Sequence, residues 1–210
     1  TGSETSQTHI SAGAVNAGGI VPNNRYNRYN FTFRNSWDVV KDVLQLDFTL
    51  LYVKQNTKNG IGQGMYYNPL VPTYLFPPSD DINRYAVYEM FNAVRRLKTQ
   101  NWPYGNMGLA IQNPFWIVNR NQFDTKRERF IASFSARWNI TSWLNILGRA
   151  RMDNAYTDFE RKLYASTDGL FSKPAGNWMT QDDKNSSTYL DFLVNVDKRF
   201  GDDWHLLANL

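Results

Sequence analysis

The sequence predicts an all-β protein, an antiparallel sheet that is one segment of a transmembrane β-barrel with long extracellular loops. Three observations lead to this fold class. Apolar and polar residues alternate along several stretches of about ten residues, the connections between these stretches are alternately short and long, and a tryptophan stands beside each short connection. The 210 residues are treated as one partial barrel domain, 1–210.

The clearest pair of strands runs from Arg129 to Asp153. Every second residue from Phe130 to Ile140 is apolar or small, and the alternation resumes at Leu144 after a short break. A helix has a period of 3.6 residues and does not produce this pattern. The stretch therefore predicts two long strands joined by a tight turn, each with one apolar face and one polar face.

The other strands follow the same period. The alternation is clearest from Leu44 to Tyr52 and weakest near the N-terminus, where a Gly-rich loop follows it. We predict about seven strands in all. Those outside the central pair cover residues 6–16, 29–36, 44–52, 190–197 and 204–210.

Two environments produce such alternation, a soluble β-sandwich and an outer-membrane barrel. Strands of soluble domains usually have about five or six residues, whereas a strand that crosses a bilayer needs roughly 9 to 11. Strand length favours the membrane. A soluble β-sandwich binding module is the less favoured alternative, and it predicts a chain that stays in solution without detergent. No apolar run approaches the length of a membrane helix.

The connections sort into two kinds. Short ones lie near Trp37-Asp38, Thr141-Ser142 and Asp202-Asp203, and long ones cover residues 16–26, 54–127 and 157–185. In an up-and-down meander this alternation places all short turns at one end and all long loops at the other. Indole rings favour a membrane interface, so an interfacial girdle is predicted at the short turns, with strand-end core positions as the alternative. The girdle residues are Trp37, Trp143 and Trp204.

The connection 54–127 is far longer than most loops in compact domains, and it is rich in large apolar residues. Its composition argues against disorder. Apolar residues at helical spacing follow Ser79 and Asp80, which are good N-caps, so we predict one amphipathic helix over about 80–97.

Several function classes find no support. The chain has no cysteine, and His9 and His205 lack the spacing of metal ligands, so no cofactor, metal site or enzyme is predicted. The net charge of +4 comes from Lys and Arg scattered among acids, which does not indicate a nucleic-acid partner.

Binding is the better hypothesis for the long loop, because its aromatic residues can stack on sugar rings or peptide side chains. The alternative is that these residues pack the loop against itself or against a partner. The substrate-binding candidates are Tyr66, Tyr67, Tyr74, Trp102, Tyr104, Trp116, Asn119 and Arg120. A second set lies on the polar faces of strands and is expected to line a lumen, forming ion pairs between neighbouring strands. This set is Arg149, Arg151, Asp153, Asp191 and Asp197.

An ordered set of short motifs resembles the barrel of SusC/RagA-type TonB-linked outer-membrane transporters of Bacteroidetes, along nearly the whole chain. No single motif is diagnostic, and the order of the set is what makes the resemblance specific. The motifs cover residues 10–13, 19–23, 26–30, 67–70, 74–77, 100–102, 112–116, 119–120, 127–130 and 143–153.

The resemblance implies an energy-coupled importer of oligosaccharides or peptides in the bacterial outer membrane, surrounded by outer-membrane lipid. Its partners would be a SusD-like surface lipoprotein outside and TonB inside. Family barrels have about 22 strands around a plug. A plug, a TonB box and a signal peptide are not recognised in these residues, so we expect a part of the barrel wall. A passive porin or a surface adhesin on the same wall is the alternative.

Overall fold

The computed structural model describes residues 2–61, 64–105, 111–170, 172–201 and 203–210. Seven of the strands in these residues form one antiparallel sheet in the order β1-β2-β3-β6-β7-β8-β9, and β4 pairs with β5 in a separate hairpin. The strand bounds are β1 Ser6–Gly18, β2 Arg25–Val40, β3 Leu44–Lys58, β4 Glu89–Asn92, β5 Leu97–Gln100, β6 Asn121–Thr141, β7 Leu144–Leu163, β8 Asn177–Phe200 and β9 Trp204–Asn209.

The register of the sheet places the apolar residues of neighbouring strands on one face and the polar residues on the other. Residues directly opposite one another on antiparallel strands point to the same side. One such row is Trp37, Leu46, Ala136, Gly148 and Phe192. We call the side that carries this row the apolar face. The other side, the polar face, carries rows such as Arg34, Thr49, Ser133, Arg151 and Tyr189.

The sheet is a single layer along most of its length. Large side chains of the apolar face are widely exposed, with Ile10 at 62%, Leu190 at 65% and Phe192 at 75% of their full accessibility. Of six buried apolar side chains in the described residues, five lie instead in or beside the long connections, and Ala155 lies within β7. The six are Ile111, Trp116, Ile117, Val118, Ala155 and Leu163.

The long connections are shorter than the sequence predicts, because the strands continue beyond the alternating segments. The bounds 54–127 become 59–120, and the bounds 157–185 become 164–176. Consecutive residues such as Lys54 and Gln55 point to opposite faces and are both polar, so the sequence shows no apolar–polar alternation there. Ladder hydrogen bonds and cross-strand pairs hold these extensions, including the ion pair between Lys54 Nζ and Glu128 Oε1 at 2.7 Å.

Short and long connections lie at opposite ends of the sheet, as the meander requires. Two of the tight turns have a residue with positive φ, Asp42 at 60° and Gly201 at 64°. Asp202, part of the predicted turn Asp202-Asp203, lies outside the described residues. The long connections meet at the other end of the sheet, and we call residues 59–120 and 164–176 the loop layer.

The predicted helix over 80–97 is wrong. A 3₁₀ helix, Ile82–Ala86, begins behind Asp81 and is followed by the β4–β5 hairpin. The carbonyls that a longer helix would need are taken by other side chains: Asn113 Nδ2 donates to Tyr85 O at 2.9 Å, and Asn101 Nδ2 donates to Val87 O at 2.8 Å. The loop layer has its α-helices elsewhere, α1 Leu70–Tyr74 and α2 Pro114–Arg120.

The prediction of an antiparallel β fold is thus confirmed, and the sheet is open rather than closed on itself. In the parts of the chain that the structure describes, no helix is both long enough and apolar enough to span a membrane.

Candidate functional site

The loop layer is organised around the side chain of Asn113, which is fully buried. Its Nδ2 donates to Tyr85 O at 2.9 Å and to Asn101 O at 3.0 Å. Its Oδ1 accepts from the N–H of Phe115 at 2.8 Å and caps α2, which Pro114 begins. One amide therefore fixes two segments of the layer to the start of a helix.

Two glutamines extend this network to the connection 164–176. Gln100 Nε2 donates to Gln112 Oε1 at 3.1 Å and to Ser166 O at 2.7 Å. Gln112 Nε2 donates to Tyr66 O at 2.9 Å, and Gln112 Oε1 also accepts from the N–H of Asp168 at 3.1 Å. These bonds join the two long connections into one folded unit.

Trp116 is part of that unit and is only 1% exposed. Its Nε1 donates to Thr167 Oγ1 at 3.2 Å, and Thr167 Oγ1 in turn donates to Asn121 Oδ1 at 2.8 Å. The faces of the Trp116 ring are covered by protein, so packing accounts for its place in the loop layer and ligand stacking does not.

Arg120, another predicted site residue, lies in an ionic cluster. Its Nε and Nη2 donate to Glu89 Oε2 at 2.9 and 2.6 Å, and Lys98 binds the other Glu89 oxygen. Burial would raise the pKa of Glu89, but the hydrogen bonds from Lys98 and Arg120 outweigh it and lower that pKa. The guanidinium also lies 4.7 Å from the centre of the Tyr164 ring. Arg120 thus fixes the β4–β5 hairpin to the top of β6.

Asn119 makes local contacts on the outer side of α2. Its Nδ2 donates to Phe115 O at 2.8 Å, and its Oδ1 accepts from Asn23 Nδ2 at 2.9 Å. The second bond ties the connection between β1 and β2 to the loop layer.

Trp102 and Tyr104 lie together in an aromatic cluster with Phe76 and Tyr85. Ring centres within this cluster are 5.2 to 6.0 Å apart, mostly edge to face. The hydroxyls of Tyr104 and Tyr85 donate to Asp80 Oδ2 at 2.6 and 2.7 Å. These two hydrogen bonds are the main reason that the pKa of Asp80 falls to about 2, and each of them raises the pKa of the tyrosine that donates it.

The remaining aromatic candidates differ in exposure. Tyr67 packs on Phe123 with ring centres 5.2 Å apart, and Tyr66 is held by the hydrogen bond from Gln112 to its carbonyl. Tyr74 is 84% exposed at the end of α1. A role in ligand binding stays a prediction for Tyr66, Tyr67, Tyr74, Trp102 and Tyr104.

The polar face of the sheet brings the second predicted set together. Arg149 pairs with Asp191 across β7 and β8, and Arg129 pairs with Asp153 through two bonds of 2.8 and 2.6 Å. Arg151 lies 3.7 Å from Asp153. The fifth residue, Asp197, lies lower on β8 and pairs with His205 on β9 at 2.6 Å. Above the central rows lies an open cavity of about 680 Å³.

The apolar face carries two of the predicted girdle tryptophans near the short turns. Trp37 is 50% exposed and Trp204 is 76% exposed. Trp143 lies in the β6–β7 turn itself, with Lys198 Nζ 4.0 Å from the centre of its ring. Trp138, 52% exposed and opposite Leu44, completes this end of the face.

Sequence reasoning missed several of these residues. The sequence does contain a signal for the start of α2, because Asn followed by Pro is a common N-cap and first helical residue. It also contains a signal for the exposed position of Trp138, since this residue belongs to the apolar alternation of β6. Glu89, Gln100 and Gln112 had none, because their partners are distant in sequence.

The arrangement offers exposed surfaces on both faces of the sheet and on the loop layer. No cluster of three or more potential metal ligands occurs among the residues that the structure describes. Comparisons with known proteins found no family model that matches the chain and no curated protein that matches it. The functional interpretation therefore rests on the geometry of the two faces and the loop layer.

Proposed function

We propose that this chain is part of the barrel wall of a SusC/RagA-type TonB-dependent transporter in the bacterial outer membrane. In this proposal it imports oligosaccharides or peptides together with a SusD-like surface lipoprotein. The observation that carries the proposal is the apolar face of a single-layer sheet, which has no protein layer over it within the described residues.

The apolar residues of the apolar face form a band, and the height of this apolar band is similar to that of the apolar belt of outer-membrane barrels. On β3 it runs from Leu44 to Tyr52, which is eight residue steps. At roughly 3.4 Å per step, and with a strand tilt of about 40°, the band is about 21 Å tall. Outer-membrane barrels have an apolar belt of about 25 Å, so the two heights agree closely.

Aromatic side chains border the band at both ends. Trp37, Trp138 and Trp204 lie near the short turns, and Tyr29 and Tyr156, each 45% exposed, lie at the other end of the band, on the side toward the loop layer. Rings with one polar atom are favoured at the boundary between hydrocarbon and water. Two such rows at this spacing support a sheet that crosses a bilayer, with the loop layer outside.

The open edges support a larger barrel. Within the described residues, β1 and β9 each have one edge without a neighbouring strand. Unpaired backbone groups are costly in hydrocarbon, so further strands are needed to pair these edges. In the proposed barrel the polar face lines the lumen, and the plug and TonB box belong to other parts of the protein.

The proposal of active import rests on the motif resemblance, with the loop layer as supporting structure. The layer is a folded unit at the extracellular end, and it presents Tyr74 and the half-buried cluster around Trp102. Such a surface suits capture of a sugar or peptide under a lid. TonB would then supply the energy from the periplasm.

The orientation of the sheet is tested with two single-cysteine variants on β3, because these 210 residues contain no cysteine. Phe48→Cys lies on the apolar face and Thr49→Cys on the polar face. A spin label at residue 48 should be accessible to oxygen dissolved in lipid, and a label at residue 49 to a water-soluble nickel reagent. Equal access of the nickel reagent to both labels in vesicles would contradict the membrane assignment.

Active import is tested separately by uptake in cells with and without TonB. Uptake that stops in the strain without TonB supports the transporter. Uptake that continues unchanged would favour a passive porin on the same wall.

A further inference from the structure

The central rows of the polar face form a trough between arginines. Its floor is made of Thr49 on β3 and Ser133 on β6, which are opposite each other. Arg34 on β2 borders one side and Arg151 on β7 borders the other, in the same cross-strand row. The two arginine backbones are three strand spacings apart, or about 14 Å. We call this surface the arginine trough.

The arginines of the polar face differ in whether they have an ion-pair partner. Arg149 and Arg129 are neutralised by Asp191 and Asp153. Arg34 forms no hydrogen bond or ion pair with any residue that the structure describes, and Arg151 has only the long 3.7 Å contact with Asp153. The two guanidinium groups that border the trough therefore have free donors, as do, among the described residues, Arg127 and Arg137 elsewhere on the same face, and only Arg34 and Arg151 face each other across Thr49 and Ser133 in one row.

The floor adds further hydroxyl donors, and the cavity is lined by two carboxylates, Asp47 and Asp153, against the three arginines Arg34, Arg149 and Arg151. Within the described part of the chain, the hydroxyls of Thr49 and Ser133 donate to no protein atom. The neighbouring Asp47 accepts from the hydroxyls of Ser36 and Ser135, so its charge is partly satisfied. The trough thus has more donors than acceptors and a surplus of positive charge, and its 680 Å³ cavity has the size of a ligand site.

The end of the row next to Arg151 favours a sugar over a peptide. Tyr189 lies opposite Arg151 and is 52% exposed, with its hydroxyl held by Asp191 at 3.0 Å. A fixed, exposed ring can pack against the C–H face of a sugar, while the hydroxyl floor matches sugar hydroxyls. An acidic peptide would use the arginines but leave this ring and floor without a matching group.

We propose that the arginine trough binds an acidic oligosaccharide, with a carboxylate held between Arg34 and Arg151. This inference rests on the proposed function, in which the polar face lines the path of the imported solute. It adds that the solute is an anionic glycan.

The test is a binding titration of the full-length protein in detergent with oligogalacturonate. Its methyl ester is the matched neutral ligand, because esterification removes the charge and keeps the sugar. The acid should bind at least tenfold more tightly than the ester, and the preference should shrink as salt is added. Arg34→Gln and Arg151→Gln should each weaken acid binding about tenfold and leave ester binding unchanged.

Arg137→Gln is the matched control, with the same change of charge on the same face. It lies four residues from Ser133 along β6, about 14 Å away. An equal loss in Arg137→Gln would mean a general charge effect and would overturn the site. Equal affinity for acid and ester would overturn the anionic class while leaving glycan import standing. Binding of neither ligand would overturn the acidic-glycan site, while the uptake test in cells without TonB decides the transporter proposal separately. Tighter binding of oligoglutamate through the same two arginines would replace the glycan by a peptide.

Discussion

At the residue scale, the loop layer depends on a few buried amides. Asn113 satisfies two backbone carbonyls and caps α2. Buried polar groups that lose a partner cost about 1 to 3 kcal/mol each. A single substitution here is therefore expected to loosen the whole layer.

Asn113→Ala should destabilise the loop layer by about 3 kcal/mol, because it leaves the Tyr85 and Asn101 carbonyls without a donor and removes the cap of α2. Hydrogen exchange of α2 and the β4–β5 hairpin should become roughly a hundredfold faster, while exchange in β6 and β7 stays the same. Asn185→Ala, on the exposed part of β8, is the control and should change neither region. Unchanged exchange in Asn113→Ala would contradict the organising role of this residue.

The aromatic cluster has a pH dependence set by Asp80. Its pKa is lowered in the folded state to about 2, so the cluster is fully supported above about pH 4. This support is lost as the pH falls from about 4 through 2. Tyr104→Phe removes the largest cause of the lowered pKa and should move the transition to a higher pH.

The measurement is an acid titration of the fluorescence of Trp102, taken as the difference from Trp102→Phe. The midpoint should lie near pH 2 in the natural protein and at a higher pH in Tyr104→Phe. Tyr74→Phe removes a hydroxyl that does not contact Asp80, and it should leave the midpoint in place. A midpoint that does not respond to Tyr104→Phe would show that the Asp80 hydrogen bonds are unimportant.

At the element scale, a strand can be predicted from the sequence only where one of its faces is apolar and the other is polar. The sequence predicts β6 and β7 because Phe130 to Met152 has one apolar and one polar side. It does not predict the outer ends of these strands, because residues such as Asp158 and Glu160 remove that contrast. The helix over 80–97 failed for a different reason: its apolar spacing and its cap were real, but partners distant in sequence, Asn101 and Asn113, hold the segment in another shape.

The residues of the candidate site also differ in whether local sequence predicts their positions. The register places Arg149, Arg151, Asp153 and Asp191 on one face, and period-two alternation was enough to predict it. The packing of Trp116 and the contact of Arg120 with Glu89 depend on how two long connections fold together. Local sequence has no signal for such contacts.

Charge tolerance on β6 should differ between neighbouring residues. Phe134→Arg places a charge near the middle of the apolar band, where it costs about 2 to 4 kcal/mol in an outer-membrane barrel. Ser135→Arg places the same charge on the polar face beside Asp47. Assembled protein in outer membranes should fall sharply in Phe134→Arg and stay near the natural level in Ser135→Arg. Equal amounts of both variants would argue against lipid on this face.

At the scale of the whole molecule, the described residues leave the sheet with two open edges and an uncovered apolar face, and both need partners. Further strands would satisfy the edges and lipid would satisfy the face. The soluble sandwich satisfies neither without a second sheet. Barrel closure and membrane insertion therefore go together in this proposal.

The native protein, extracted in detergent, should run differently on a denaturing gel before and after boiling, because closed barrels resist unfolding by detergent at room temperature. The band should also be much larger than the 24.4 kDa of this chain. A band near 24 kDa that boiling does not shift, from a protein soluble without detergent, would mean an independent domain and would overturn both fold and function.

The polar extensions of the strands also set a height. From Tyr52 to Lys58, β3 continues for six residues beyond the apolar band, or about 15 Å measured along the membrane normal. The headgroup region of one leaflet is only about 5 to 8 Å thick. In the proposed orientation, the strands extend beyond the headgroups and hold the loop layer outside the membrane. The aromatic cluster and Tyr74 would then be among the first surfaces that a large glycan, an antibody or a protease meets from outside the cell.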